Sequence, residues 1–211
     1  MTTTTLTKTA GTSLLTHQAV THPDTVKGSA TDVATKIGAT VFLFHSAVGS
    51  TGTNTTAEAN TNPGIFRIEG SASASGDEDW VPLYQVVATV STADVEAMTA
   101  TEPSGETVLA CASTTGFVAG DVLYIQDTGT VGDSEWARCQ EVVSNTSINL
   151  VDGLTNGKDS SDIIWNDADI WAIYIDLSAI TRVRVVFQHE GAAGANCHVK
   201  AMMVTLDSAT S

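Results

Sequence analysis

The sequence predicts an all-β protein: a two-sheet, jelly-roll-like β-sandwich with a small barrel-like β domain inserted into it and an extended N-terminal arm ahead of it. Three observations lead there. Apolar residues recur with period two in runs of strand length, as in GIFRIEG, where Phe66 and Ile68 share one face and Arg67 and Glu69 the other. Clusters of Gly, Ser, Asp and Thr, such as SASASGD, TTGFVAG and DTGTVGD, separate those runs at short intervals. Charge is divided by segment: the chain of 211 residues carries a net −15, of which residues 1–40 hold +1, residues 101–170 hold −10 and residues 171–211 balance.

Residues 1–38 are expected to form the arm. The first forty residues contain thirteen threonines, and Leu6, Leu14, Leu15, Val20 and Val26 fall at no fixed period, so neither a helix nor an amphipathic strand is specified. Threonine is β-branched and favours extended backbone; such a segment has no core of its own but can add to the sheet of another subunit. Those five apolar residues are therefore the candidate interface positions.

Residues 39–100 and 171–211 are expected to form the sandwich body. ATVFLFHSA is a mostly apolar run of strand length, and GIFRIEGSASASGDEDWVPLYQVVATVST reads as two strands and a turn, with Pro82 marking an edge strand or bulge. Later, Trp171, Ile173, Ile175 and Leu177 alternate with Ala172, Tyr174 and Asp176; Val183, Val185 and Phe187 follow, then a hairpin turn at GAAGAN and the strand CHVKAMMVTL. Either half alone would leave an apolar face exposed, whereas together they close two sheets on one core.

Residues 101–170 are expected to be the inserted domain, with ETVLACA, GDVLYIQD, EWARCQEVVS and TSINLVDGL as its short strands. Its ends, near Thr101 and Ile170, should lie close together, so that it projects from a loop of the sandwich. Its acidity requires most of its carboxylates, including those of NGKDSSDIIWNDAD, to be solvated, because unpaired buried charge is costly.

The same features weigh against several functions. A net charge of −15 opposes nucleic-acid backbones and anionic membranes. MTTTTLTKTAGTSLLTH lacks the apolar stretch of a signal peptide, and synthesis in the cytosol is therefore expected. Cys111, Cys139 and Cys197 are odd in number and widely spaced, and read as core thiols. His17, His22, His45, His189 and His198 show no metal-binding spacing, and Cys197 and His198 point to opposite faces of a strand. Asp77, Glu78 and Asp79 beside Trp80 read as a solvated turn, since the calcium-loop pattern is absent. GSASASG is not a nucleophile elbow, and GAAGAN leads into a strand, so neither catalysis nor phosphate binding is indicated. No catalytic residue, cofactor or metal is expected. Trp136, Trp165 and Trp171 cluster in or beside the insertion; they read as core anchors, with sugar stacking as the alternative.

In GIFRIEGSASASGDEDWVPLYQVVATV, in the inserted GDVLYIQDTGTVGDSEWARCQEVVSNTSINLVDGL and in the closing RVRVVFQHEGAAGANCHVKAMMVTLDS, the chain resembles a family of tailed-bacteriophage virion proteins. The resemblance covers about 170 residues and leaves the threonine-rich arm unmatched. It implies a non-enzymatic structural role, first of all as a head decoration or cement protein on the outer capsid surface, assembled in the bacterial cytoplasm. The implied partners are the major capsid protein and neighbouring copies in a homotrimer at local threefold positions. The alternatives are a tail or head-fibre base component and, from another class, a carbohydrate-binding β-sandwich module.

Overall fold

The computed structural model describes residues 7–48, 64–77, 79–88, 94–166, 168–190 and 196–207. Leu6, Glu78 and most of the GAAGAN turn lie outside them. The described chain is all-β, with two sheets packed face to face as a sandwich and a third, curled sheet beside them.

The first sheet runs in the order β14 (Ala168–Asp176), β5 (Lys36–Val48), β16 (Asn196–Asp207), with β1 (Thr7–Lys8) and β2 (Thr12–Thr21) both on the far side of β16. The second runs β7 (Val81–Ala88), β6 (Gly64–Ser71), β15 (Arg182–Gln188), with β3 (Thr25–Lys27) and β4 (Thr31–Asp32) beyond β15. Period two sets which side chains meet. Phe66 and Ile68 of β6 lie opposite Phe187 and Val185 of β15 and face Val41, Leu43, Val199, Ala201 and Met203 of the first sheet. Burying each of the large apolar side chains contributes about 1.5–3 kcal/mol before conformational entropy is charged against it.

Residues 7–38 are not an arm. β2 pairs with β16 from Thr12 to Thr21, and Leu14, Leu15 and Val20 are 1–2% exposed in the sandwich core, with Val26 packed against it. These four residues fill their own subunit's core and offer no free face to another. The missing periodicity has a physical cause. Between Gln18↔Val199 and Leu15↔Ala201, and again between Leu15↔Ala201 and Ser13↔Met202, β2 spends one residue more than β16. Each bulge reverses the in–out alternation, which lets the adjacent Leu14 and Leu15 both turn inward. After β2 the chain crosses to the other sheet, where Gly28 N–H donates to Val185 O and Val33 N–H to Thr181 O, both at 2.8 Å. At Gly28 a Cβ would sit 1.8 Å from Leu14 O, so only glycine permits the crossing. The segment laces one side of the sandwich shut.

The third sheet runs β8 (Val95–Ala97), β13 (Ile163–Trp165), β10 (Val122–Gln126), β11 (Glu135–Val143), β12 (Ser147–Leu150), β9 (Val108–Ala110). It curls until its ends meet: Met98 bridges Cys111, and Thr99 N–H donates to Ala110 O at 2.9 Å. The resulting small barrel encloses Met98, Leu109, Leu123, Ile125, Ile148 and Ile164. It begins at Val95 rather than Thr101 and its last strand ends at Trp165. Those two residues are paired across β8 and β13, and Asp94 and Asn166 exchange hydrogen bonds just beyond them, at 2.7 and 3.2 Å.

The acidic loop is less solvated than its composition suggests. The Lys158 side chain is fully buried and its ammonium donates to Asp133 O (2.9 Å), Glu135 Oε1 (2.8 Å) and Asn156 O (3.0 Å). Asp162, 2% exposed, accepts from Thr128 N and Oγ1 and from Asp159 N. Each is a charge made tolerable by fixed donors or acceptors in place of water.

Candidate assembly face and the joint beside it

The two outer faces of the sandwich differ in chemistry. On the second sheet the outward side chains of β6 and β15 are mostly charged or polar and paired, while the edge strand β7 leaves Val81, Tyr84 and Val87 about half exposed. Arg184 meets Glu69 at 2.8 Å and Asp77 at 2.9 Å, and Arg67 donates to Gln188 at 2.8 Å. Trp80 lies beneath Arg184 and Arg182, whose guanidinium carbons are 4.2 and 4.9 Å from its ring centre. That is the surface water is given.

On the first sheet the outward positions are mostly apolar. Successive cross-strand rows over β14, β5 and β16 read Ile170–Phe44–Lys200, Ala172–Phe42–Met202 and Tyr174–Thr40–Val204, with Leu206 beyond. Tyr174 is 62% exposed and Ile170 39%, while Phe42, Met202, Val204 and Leu206 are half-buried. Lys200 and, at the rim, Asp176 are the charged members of these rows; Asp207 at the far end is tied to Lys36.

The barrel stands on the other end of this same face and closes it there. The strands of its near wall are apolar on both sides, because one side fills the barrel and the other the joint. On β10, Leu123 and Ile125 point into the barrel while Tyr124 points out, beside Trp165 and Trp136. Trp136 Nε1–H donates to His45 O at 3.1 Å, and its ring packs against His17, Tyr124 and Phe44 at centroid distances of 4.9, 4.7 and 5.5 Å. Trp165 is buried and donates to Gln126 Oε1 at 2.9 Å; Trp171 packs inward against Phe66 at 6.1 Å. All three tryptophans are taken up by packing. A groove of about 230 Å³ remains in the corner, between Glu135, Trp136, Arg138 and Asp152 of the barrel side and Ile170 of the sandwich.

At the centre of the joint, Tyr124 Oη lies 2.6 Å from His198 Nδ1 and 3.1 Å from His17 Nε2, and the two imidazole nitrogens are 3.3 Å apart. Burial, with Lys200 adding to it, holds His17 down to about 4; burial, with His17 adding to it, holds His198 down to about 3. Burial pushes the Tyr124 phenol up, so it is a neutral donor across the acid and neutral range. His45, on the inward face of β5, is 1% exposed and has no hydrogen bond at either ring nitrogen; burial is the main cause that holds it at about 3, with His189 and His198 contributing. His22 packs on His189 at 5.8 Å, and Phe187 lies between His45 and His189. The fold thus brings the chain's five histidines to one end of the sandwich, although 181 positions separate His17 from His198. No spacing in the sequence could have signalled that. Among the described residues no three His, Cys, Asp or Glu side chains form a group able to hold a metal. Cys111, Cys139 and Cys197 are buried free thiols.

No family model matches the chain, and no curated protein matches it. Among solved structures it is similar to the SPBc2 prophage-derived protein YomS, at 11% identity and a TM-score of 0.32 over 98% of this chain and 99% of that one. It is similar also to a structure of infectious bursal disease virus, Gt strain (11% identity, TM-score 0.25, 98% and 81% of the chains). A third is VP17, a capsid protein of bacteriophage P23-77 (6% identity, TM-score 0.20, 96% and 99% of the chains).

Proposed function

We propose that this chain is a non-enzymatic structural protein of a tailed-bacteriophage virion, a head decoration or cement protein that covers the open part of its first sheet with neighbouring copies of itself and binds the major capsid protein. The observation that carries the reading is the block of adjacent apolar rows at the centre of the first sheet's outer face, where the second sheet has paired charges on β6 and β15 and apolar exposure only on its edge strand β7. A sandwich needs only its inner faces apolar, so a second apolar face on one sheet is surplus to folding and is the mark of a surface buried by assembly. Charge selects the occupant. Two copies each carrying −15 repel one another except where acids are scarce, and the rows of Phe42, Met202 and Val204 contain none, with Asp176 only at the rim beyond them. The sequence motifs shared with phage virion proteins support the same assignment, with a trimer at local threefold positions as the favoured arrangement.

The test combines light scattering with particle binding. Wild-type protein should be a concentration-dependent oligomer, trimeric at saturation, and should occupy purified heads that lack it. Met202→Asp, which puts a carboxylate in the centre of the face, should be monomeric with an unchanged β-rich circular dichroism spectrum, and its occupancy should fall at least tenfold. A wild-type monomer at all concentrations that ignores the particles would remove the proposal; an oligomer indifferent to Met202→Asp would move the interface elsewhere.

A further inference from the structure

We propose that the His17–Tyr124–His198 cluster is an acid-labile clasp, which holds the barrel to the sandwich while both imidazoles are neutral and lets go when they are protonated. The three groups come from three elements: His17 from β2 and His198 from β16, both on the sandwich, and Tyr124 from β10 of the barrel. With neutral rings the protons fit. His17 Nε2–H donates to the phenol oxygen across 3.1 Å, and the phenol O–H donates to His198 Nδ1 across 2.6 Å. A proton on His198 Nδ1 turns that acceptor into a donor facing two others, 2.6 Å from the phenol and 3.3 Å from the His17 nitrogen. The phenol must then turn its hydrogen away, toward Ser134, its other side-chain partner, and the joint must hold a buried positive charge.

The charged neighbours do not rescue it. On β16, Lys200 adds to the positive field, and His45 on β5 lies close enough to feel His198. On the barrel side, Glu135 is engaged by Lys158 and by the Thr155 and Asn156 N–H groups, Asp127 is held by the N–H groups of Gly129 and Thr130, and the Asp133 side chain is exposed to water that screens its charge. Asp169 on β14, paired across the sheet with His45, is half-buried and its pKa is raised by desolvation, so it loses its charge earlier than an ordinary aspartate as the pH falls. The sign is fixed by this arrangement. His17 and His198 both titrate below an unfolded imidazole, so the clasp is closed above about pH 6.5 and opens as the pH falls toward their folded values of about 4 and 3. The barrel ladders contain no histidine, so the strands themselves have no comparable reason to open.

The clasp is tested on the full chain by small-angle scattering from pH 7.5 to 3, with circular dichroism recorded on the same samples. The radius of gyration should rise while the β signal stays constant. In His17→Gln/His198→Gln the rise should be absent over that range. Tyr124→Phe removes the hydrogen bond that favours neutral His198, so its transition should move to higher pH by about one unit, the effect of one lost hydrogen bond on a pKa. A radius that stays constant in wild type while imidazole resonances show both rings protonated would overturn the proposal, as would an unchanged transition in both variants.

Discussion

Replacing Lys158 by Met should destabilise the barrel by about 3 kcal/mol. The ammonium is fully buried and serves three acceptors at 2.8–3.0 Å: the carboxylate of Glu135 and the carbonyls of Asp133 and Asn156. Methionine fills nearly the same volume without a donor, so the packing survives and the polar groups are stranded. Breaking a buried ion pair by removing one partner costs about 3–5 kcal/mol. The lower end applies because Glu135 keeps two backbone donors, Thr155 N–H at 2.8 Å and Asn156 N–H at 3.3 Å, and remains 14% exposed. Calorimetry then separates two ways of melting. A barrel that unfolds as its own unit should lose about 12–24 °C in Tm, since 1 kcal/mol is worth about 4–8 °C in a domain of that size; melting as one unit with the sandwich should lose about half as much. Lys158→Met/Glu135→Gln should recover about 1 kcal/mol by removing the stranded charge. A single variant within 1 kcal/mol of wild type, or a double variant no more stable than the single, would refute the reasoning.

Three further outcomes follow from the packing. His45→Leu should stabilise the protein by about 1 kcal/mol at pH 7, because neither ring nitrogen is hydrogen-bonded; it should also remove about 2 kcal/mol of acid sensitivity between pH 7 and pH 5, since a folded pKa of about 3 makes stability fall as the pH drops below 6.5. Urea unfolding at the two pH values checks both. Gly28→Ala should fail to fold, or fold with residues near β2 displaced, because its Cβ would overlap Leu14 O; circular dichroism and protease resistance of the N-terminal segment report it. Joining Asp94 to Asn166 by a short Gly/Ser linker in place of the barrel should leave a sandwich that melts cooperatively, since the flanking Val95 and Trp165 are directly paired; loss of the transition would make the barrel part of the sandwich's folding unit.

Where the backbone kept strict alternation, the sequence was readable. In β6 and β15 the repeat of apolar and charged residues identifies strand, inner face and outer face together, since Phe66, Ile68, Val183, Val185 and Phe187 go inward and Arg67, Glu69, Arg182 and Arg184 outward. Where alternation is broken by a bulge the reading fails: β2 has the apolar residues of a core strand, but two extra residues against β16 scramble their period, and a strand looks like an arm. Long-range polar placement was equally illegible. Lys158 in an acidic loop and five histidines without spacing gain their meaning only from partners that the topology brings in.

The outer apolar face does have a signature in the sequence, once the two sheets are compared strand by strand. Within the second sheet, β6 and the first half of β15 alternate, whereas VFLF in β5 and AMMV in β16 are apolar at four consecutive positions. In β5, Val41 and Leu43 supply the sandwich core and Phe42 and Phe44 the outer face; in β16, Ala201 and Met203 supply the core and Met202 and Val204 the outer face. The barrel explains part of that second set, through Phe44 and the His198 end of β16. It does not explain Phe42, Met202, Val204 or Tyr174, which lie beyond its footprint. Consecutive apolar residues in a strand mean burial on both sides, and on the outer side these four are left partly or largely exposed. A solvent face would tolerate Thr or Lys at each of them at little cost, as the second sheet's Arg and Glu show. That these positions hold Phe, Met, Val and Tyr is what the proposed assembly accounts for, and it is why Met202, at the middle of the set, is the position where one carboxylate should undo it.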